Sequence, residues 1–243
     1  MKYKIICLEN NDLSMKYANE CIEQAKKFDI HLEKYFGVHA DDVMKHIEET
    51  KLIPRWNFKG LRKGVLGCFF SHYYLWKECI ENNEPYLILE HDGYFIRKLP
   101  DNVLDTFTDV LKLDNLDPFS KTYNLDIENE KNNNNKVIEY MNFTLKNQSY
   151  NKTGMYLKGA YSYIIKPQAA KKVIDWININ GFLPADVQLG KAIVDLKVCT
   201  PTVARLHPDY FNRVEDLSLT RTLKGENVEV KVKYELKKKV KKK

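Results

Sequence analysis

Apolar positions in the first part of the chain follow two different periods. Short runs of consecutive apolar residues predict buried strands, and between these runs apolar residues recur at helical spacing, which predicts amphipathic helices. The predicted strands are residues 3–8, 31–38 and 85–89, and the predicted helices are residues 14–28, 40–50 and 64–82. Strands that alternate with helices favour a mainly parallel central sheet flanked by helices on both faces, so we expect an α/β fold.

The second half of the chain shows a weaker form of the same pattern. Its predicted elements are a helix near 103–113, a strand at 156–166, helices at 167–177 and 183–196, a strand at 197–206 and an alternating edge strand at 228–236. The asparagine-rich run at 126–136 lacks the apolar side chains of a core and predicts an exposed, flexible insertion at about 120–155. A chain of 243 residues fits one domain, which we assign to residues 1–223, followed by a basic tail at 224–243.

The excess positive charge of the chain is confined to this tail. The whole chain has 39 basic and 33 acidic residues, and residues 224–243 hold nine lysines against three glutamates, which accounts for the entire excess of six. A basic tail attracts anionic lipid or nucleic-acid phosphates, and the sequence leaves both partners open beside a tail that only aids solubility. The balanced charge of the body argues against a protein that binds a duplex along one basic face.

Hydropathy and cysteine usage favour the cytoplasm. No apolar stretch reaches the roughly 18 residues that cross a bilayer, and the apolar run at residues 5–8 is too short for a secretory signal. The five cysteines are widely spaced in apolar surroundings without a C-x-x-C pair, which favours buried free thiols. We expect a cytoplasmic protein (in the host cytoplasm if it is viral), peripheral to the inner membrane if the tail binds lipid.

The strand at residues 85–89 ends in three potential metal ligands, Glu90, His91 and Asp92. Ligands of open α/β sheets bind beyond the carboxyl ends of the strands, so we expect these side chains at the edge where a substrate binds. Hard divalent cations prefer carboxylate oxygens, and Mg²⁺ is commonly held by one or two carboxylates together with substrate phosphates. Acidic residues and glycine are also common where a strand ends in solvent, so the triplet alone leaves both interpretations open.

Four short motifs follow one another along the chain. They are Gly67-Cys68 with Ser71-His72 on one predicted helix, the strand end Leu89-Glu90 with Asp92, the segment KGAYSYIIKPQAAKKVI at 158–174, and the segment LPADVQL at 183–189. In this order they resemble glycosyltransferase family 25, the lipooligosaccharide and lipopolysaccharide glycosyltransferases. Each motif is weak alone, but together they make the resemblance fairly specific over most of residues 3–210.

The resemblance implies a GT-A-like (Rossmann-like) single domain that binds a nucleotide-diphosphate sugar through a divalent metal, Mn²⁺ or Mg²⁺, and transfers the sugar with inversion. The implied metal ligands are Glu90, His91, Asp92 and His207, the implied substrate-binding residues are Ser71, His72, Gly159 and Tyr161, and the implied catalytic residue is Asp186. A carboxylate is implied there because an inverting transfer needs a base to remove the proton of the attacking hydroxyl.

Several of these residues also have a purely structural interpretation. Asp186 follows Pro184 at a predicted helix start, where an acid stabilises the helix dipole whatever the chemistry. Gly159 can relieve crowding in a strand, and His207 can be an ordinary loop histidine. His72 lies among aromatic residues, as a core histidine does.

Two positions depart from the family pattern. His91 stands where the family has its middle aspartate, and the acid that the family places ahead of Gly-Cys is absent, with Val65 before Leu66. Imidazole is a softer ligand than carboxylate and binds only when neutral, so a shift in metal preference or pH dependence is expected.

The sequence therefore predicts a metal-dependent glycosyltransferase that moves a hexose from a nucleotide-sugar donor, a UDP-sugar before others, to a hydroxyl of a glycan acceptor. One alternative acceptor is a hydroxymethylated base in phage DNA, which suits the Asn- and Lys-rich composition and the lysine tail. Another alternative is a sugar-binding relative that has lost catalysis.

Overall fold

A seven-stranded sheet forms the centre of the molecule. The computed structural model describes residues 1–55, 61–114, 126, 128, 136–139, 157, 159–209 and 227–228. The strands are β1 (Lys2–Cys7), β2 (Glu33–Phe36), β3 (Leu61–Arg62), β4 (Tyr86–Glu90), β5 (Gly93–Phe95), β6 (Val110–Lys112), β7 (Lys136–Glu139), β8 (Ser162–Ile165), β9 (Leu196–Thr200), β10 (Ala204–Leu206) and β11 (Asn227–Val228). The order in the main sheet is β2-β1-β4-β8-β6-β9-β7, and the pairs β5 with β10 and β3 with β11 form two small separate sheets.

The helices of the described residues connect these strands. They are α1 (Asp12–Lys26), α2 (Val43–Thr50), α3 (Lys63–Glu81), α4 (Pro167–Asn180) and α5 (Ala185–Gln188), with a 3-10 turn at Val103–Asp105. Pro167 is the first residue of α4, where a missing N–H costs nothing. The cap of α1 is Asn11, whose side chain accepts the Ser14 amide, while Ser14 itself accepts the Leu8 amide.

Five of the seven strands in the main sheet run in the same direction. Strand β1 is parallel to β2 and β4, and β6 is parallel to β9. Strand β8 is antiparallel to both β4 and β6, and β7 is antiparallel to β9. The carboxyl ends of β4 and β6 therefore lie at the same edge of the sheet. The predicted α/β fold with a mainly parallel, helix-flanked sheet is confirmed.

The sheet separates two hydrophobic cores. Successive strand residues face opposite sides, so Ile88 packs in the core under α3 and α4, whereas Leu87 packs in the core under α1. In the first of these cores the rings of Phe69 and Phe182 stack with their centroids 4.3 Å apart. Burial on both faces explains why the strands are visible in the sequence as continuous apolar runs.

Three predicted elements differ from the structure. The helix near 103–113 is wrong, because β6 occupies its second half and buries Val110 and Leu111 on opposite faces of the sheet. The helix predicted at 183–196 ends after Gln188, and the Gly190 carbonyl then accepts the amides of two turn residues. The strand predicted at 197–206 is divided into β9 and β10 around Pro201, which has no N–H for a sheet ladder.

Some predicted segments fall largely outside the described residues. Of the insertion at about 120–155, residues 136–139 are described as β7, at one edge of the sheet, together with residues 126 and 128. Of the tail at 224–243 and the edge strand at 228–236, only residues 227–228 are described, and they pair with β3. Within the described ranges, none of the helices has the length and apolarity needed to cross a membrane.

Candidate active site

A tight turn follows β4 at the carboxyl edge of the sheet. The chain leaves β4 at Glu90, turns through His91 and Asp92, and enters β5 at Gly93. A Cβ atom on Gly93 would lie 2.7 Å from the Tyr161 carbonyl oxygen, so only glycine allows the turn to pack this closely. The three predicted metal ligands are therefore held where α/β proteins bind their ligands.

The Glu90 side chain is bound to α3. Its Oε1 atom lies 3.1 Å from Nε2 of His72 and accepts the Cys68 thiol across 3.8 Å. Cys68 and His72 are four residues apart and therefore lie on the same face of the helix. Both contacts are made to Oε1, and neither involves the second oxygen, Oε2.

Two further buried side chains continue this network behind His72. The Tyr163 hydroxyl of β8 lies 2.8 Å from Nδ1 of His72, and the Trp76 indole N–H donates to the same hydroxyl across 2.8 Å. His72, Tyr163 and Trp76 are all fully buried. Glu90 is thus connected through three side chains to the middle of the core under α3.

Opposing effects act on the pKa values of the buried acidic groups. Burial favours a raised pKa for Glu90, but the hydrogen bonds from His72 and Cys68, together with nearby positive charge, outweigh it and lower the pKa below its usual value. Burial and the negative charge of Glu90 raise the pKa of Asp92 well above its usual value. Burial and the charges of Glu90, Asp186 and Asp92 raise the pKa of Cys68, so its thiol keeps the proton that it donates to Glu90.

Asp92 is a nearly buried carboxylate with one oxygen that lacks a partner. The residue is only 7% exposed, and its Oδ1 atom makes no hydrogen bond within the described structure. The main chain is fixed by the His207 amide, which donates to the Asp92 carbonyl oxygen across 2.6 Å. A buried polar atom without a partner costs free energy, so this oxygen fits the position of a cation ligand.

Asp186 lies at the start of α5 and belongs to the same acidic group. Its Oδ1 accepts the Val187 amide at 3.0 Å, and its carbonyl accepts the Leu157 amide at 3.1 Å. Burial raises the pKa of Asp186 to about 6, the Glu90 charge adds to this effect, and hydrogen bonds from the Val187 and Gly159 amides oppose it. A carboxylate with a pKa just below neutrality is suited to act as a general base.

Gly159 and Tyr161 contact the site through their main chains. Gly159 has φ of +73°, in the left-handed region that favours glycine, and its amide lowers the pKa of Asp186. The Tyr161 carbonyl accepts the Glu90 amide at 2.9 Å, and the ring lies under Lys112 Nζ, 5.3 Å from it. Tyr161 is 3% exposed, so its contribution to the site is to fix the end of β4.

Ser71 connects α3 to the segment that follows β2. Its hydroxyl donates to the Gly67 carbonyl at 2.7 Å and accepts the Val38 amide at 2.8 Å. A Cβ atom on Gly67 would lie 2.6 Å from the Val38 carbonyl oxygen, so glycine is needed for this close approach. The Gly-Cys and Ser-His motif therefore has two faces: Gly67 and Ser71 dock the helix, and Cys68 and His72 contact Glu90.

The two other predicted metal ligands are histidines, and the ring of His207 contacts groups other than Glu90 and Asp92. The His207 imidazole has Nε2 3.1 Å from a Glu20 oxygen, and its ring packs edge-on against Tyr17 and Tyr94. Burial lowers the pKa of His207. His91 is 7% exposed, its carbonyl accepts the Cys21 thiol, and its charge lowers the pKa of Glu90.

Sequence reasoning missed two parts of this edge. Lys112 is the last residue of β6, and Asp114 lies two residues further along the chain. The two side chains form a buried ion pair with their charged atoms 4.0 Å apart. Two charged residues at the end of an apolar run are the sequence signal for such a pair. The prediction of a helix near 103–113 hid this signal, because it did not place a strand end there. The other missed part is the Tyr163 contact to His72, because nothing in a sequence pairs residues so far apart.

Within the described residues, the ligand atoms of Cys68, His72 and Glu90 lie within 4.8 Å of one another, as metal ligands do. Glu90 and Asp92 are the residues that fit a hard cation best, because they offer carboxylate oxygens at the sheet edge. Of the four predicted metal ligands, Glu90 and Asp92 are therefore the two whose carboxylate oxygens could hold a cation at this edge.

An α/β sheet with buried carboxylates beyond the carboxyl end of a central strand places these side chains where open α/β sheets bind their ligands. The chain belongs to glycosyltransferase family 25, whose model, described as an LPS biosynthesis protein, matches residues 37–189. The chain is therefore a glycosyltransferase, and the resemblance found in its motifs is confirmed.

Comparisons beyond the family model are weak. No curated protein sequence matches the chain. Among solved structures, the apo form of mouse xyloside xylosyltransferase 1 is similar over 78% of this chain and 80% of that chain, with 9% sequence identity and a TM-score of 0.33.

Proposed function

We propose that this glycosyltransferase is metal-dependent and transfers a hexose from a nucleotide-diphosphate sugar to a hydroxyl of a glycan acceptor. The observation that carries the proposal is the unpartnered Oδ1 of Asp92, buried next to Glu90 at the carboxyl edge of the sheet. Two carboxylates, one of them with an unpartnered oxygen, would supply part of the coordination sphere of a divalent cation, and the donor diphosphate would supply further oxygen ligands.

In this proposal Glu90 and Asp92 would hold the metal, and the metal would bind the donor diphosphate. Mn²⁺ or Mg²⁺ would supply neutralisation of the charge that develops on the leaving diphosphate. Repulsion between the two acids, visible in the raised pKa of Asp92, would be relieved by a bound cation. His207 contributes through its amide, which holds the Asp92 main chain in the turn.

Asp186 is the proposed base. It interacts electrostatically with Glu90, which supports a position beside the donor. Its carboxylate takes the proton of the acceptor hydroxyl while that oxygen attacks the anomeric carbon and the bond to the diphosphate breaks. A single displacement of this kind inverts the anomeric configuration.

Donor binding and turnover test the proposed function. We expect Mn²⁺-dependent binding and slow hydrolysis of one donor in a panel of UDP-, GDP- and CDP-sugars, with UDP-sugars tried first, measured by calorimetry and nucleotide release. A chelator should abolish both signals. If no nucleotide sugar binds with either metal, the proposed function is wrong.

The pH dependence of transfer should follow the ionisation of Asp186. A base acts only when it is deprotonated, and the pKa of Asp186 is about 6. We therefore expect kcat/KM to increase with pH up to about 6 and to level off above it, with a tenfold loss per pH unit on the acidic side. A profile measured with saturating metal that is flat through this range would contradict the assignment.

The cytoplasmic location, the tail partners and the phage DNA acceptor remain predictions from sequence. The tail falls outside the described residues except at 227–228. A glycan acceptor is the simpler proposal because it agrees with the family description, LPS biosynthesis.

A further inference from the structure

Four side chains from three elements form one continuous hydrogen-bond chain that ends at Glu90. In order they are Trp76, Tyr163, His72 and Glu90, and their contacts are 2.8, 2.8 and 3.1 Å long. None of the first three is accessible to substrate, since each is fully buried. This hydrogen-bond chain therefore influences the candidate site only through Glu90.

The chemistry of the four groups determines which group donates and which accepts in each hydrogen bond. An ionised carboxylate can only accept, so Nε2 of His72 must carry a hydrogen and donate to Glu90. Within the described residues the Tyr163 hydroxyl hydrogen has no acceptor other than Nδ1 of His72, which favours a neutral ring whose Nδ1 accepts that hydrogen. The indole N–H of Trp76 can only donate, and it occupies a lone pair of the Tyr163 oxygen, which leaves the hydroxyl hydrogen for His72.

This direction also separates two interpretations of the group formed by Cys68, His72 and Glu90. Their spacing is suitable for a metal, but a ring nitrogen that carries a hydrogen cannot ligate one. For Nε2 to become a ligand, the hydrogen would have to move to Nδ1, and the Tyr163 hydroxyl would lose its acceptor in the core. The network therefore stabilises His72 as a donor.

We propose that His72 is a positioning residue that fixes Glu90 by one carboxylate oxygen and thereby orients the other for the donor-bound cation. The role of Glu90 in donor binding rests on the proposed function above. The Cys68 thiol donates to the same oxygen and reinforces this orientation. Tyr163 and Trp76 act one step further back, by fixing the tautomer of His72.

A pair of tyrosine variants separates this role from a general effect on stability. Tyr163→Phe removes the donor to His72, whereas Tyr86→Phe removes a hydroxyl that also makes two hydrogen bonds in the same core but contacts Glu78 and Asn82. We expect Tyr163→Phe to weaken Mn²⁺-dependent nucleotide binding about 10- to 100-fold, as outer-shell partners of ligands do. We expect Tyr86→Phe to leave the affinity unchanged while losing a similar amount of thermal stability.

Kinetics give a second readout that a merely structural role would not change. In Tyr163→Phe the metal concentration required for half-maximal transfer should rise, while kcat at saturating metal stays close to that of the wild type. His72→Gln, which keeps a donor, should retain more metal affinity than His72→Leu, which has none. Equal affinities in the two tyrosine variants, or in the two His72 variants, would overturn the proposal.

The tautomer of His72 can be measured without any donor. Nitrogen-15 NMR of the metal-free protein, with the signal assigned by its loss in His72→Gln, should show a protonated Nε2 and an unprotonated Nδ1. The opposite tautomer would overturn the inferred direction of the network. A wild-type protein with the expected tautomer but no nucleotide binding would instead refute the proposed function, and with it the role of Glu90.

Discussion

Asp92→Asn is expected to abolish metal-dependent donor binding and to lower kcat/KM by about 10³-fold or more. A bound metal supplies several kcal/mol of transition-state stabilisation, and each 1.4 kcal/mol corresponds to about tenfold in rate. Asparagine keeps the size of the side chain but removes the negative charge that holds the cation. The measurements are Mn²⁺ and nucleotide titrations by calorimetry, together with initial rates of sugar transfer.

The same variant should not lose stability. Burial and the Glu90 charge raise the pKa of Asp92, so its ionised form is less favourable in the folded protein than in the unfolded chain. The ionised group therefore lowers stability as the pH rises above its unfolded pKa, and a neutral side chain removes this cost. We expect the free energy of unfolding of Asp92→Asn in urea at neutral pH to equal or exceed that of the wild type.

Asp109→Asn is the matched control for this result. Asp109 is also a fully buried acid with an unpartnered Oδ1, but it precedes β6 and lies at the opposite edge of the sheet. Its Oδ2 accepts Lys172 at 2.6 Å and the Asp195 amide at 2.9 Å, so its neutralisation should lower stability and leave donor binding intact. Normal donor binding by Asp92→Asn would remove Asp92 from the metal site.

Asp186→Asn is expected to lower kcat about 10²- to 10⁴-fold, the range for loss of a general base, while donor affinity stays near the wild-type value. The amide keeps the size of the side chain and can still accept the Val187 N–H, but it cannot take a proton at neutral pH. Single-turnover transfer and calorimetric donor binding, measured on the same samples, separate the two effects.

Asp175→Asn provides the comparison for Asp186. Asp175 lies on α4 with an exposed side chain that pairs with Lys171, so its neutralisation should change neither rate nor affinity. A transfer rate in Asp186→Asn equal to that in Asp175→Asn would show that another group removes the proton. Loss of donor binding in Asp186→Asn alone would assign the residue to the donor site instead.

The parts of the fold that could be read from the sequence are those with a strong local signal. Strands β1 and β4 are continuous apolar runs, and α1 and α3 carry apolar stripes, so their type and approximate bounds were predicted. The segment at 103–113 was misread because Val110 and Leu111 face two different cores, and burial on both sides removes the alternation that distinguishes a strand from a helix.

The candidate site was only partly readable for a different reason. Glu90 and Asp92 follow an apolar run directly, so their place at the sheet edge follows from local sequence. The side chain of His72 contacts Tyr163, and that of His207 contacts Glu20. Both partners are distant in sequence, so no local pattern predicts these contacts. His207 in particular reaches Asp92 with its amide and not with its ring, and a sequence does not show which part of a residue makes a contact.

The hydrogen bond from the His207 amide to the turn at Asp92 joins parts of the chain that are far apart in sequence. That hydrogen bond continues the pairing of β10 with β5, and the fixing of Glu90 depends on the contact of Tyr163 with α3. Contacts between such distant parts of a chain require large loops to close, and such closures slow folding. We therefore expect the carboxylate site to be among the last parts of the molecule to assemble during folding, and fragments that contain only the first four strands to have no activity.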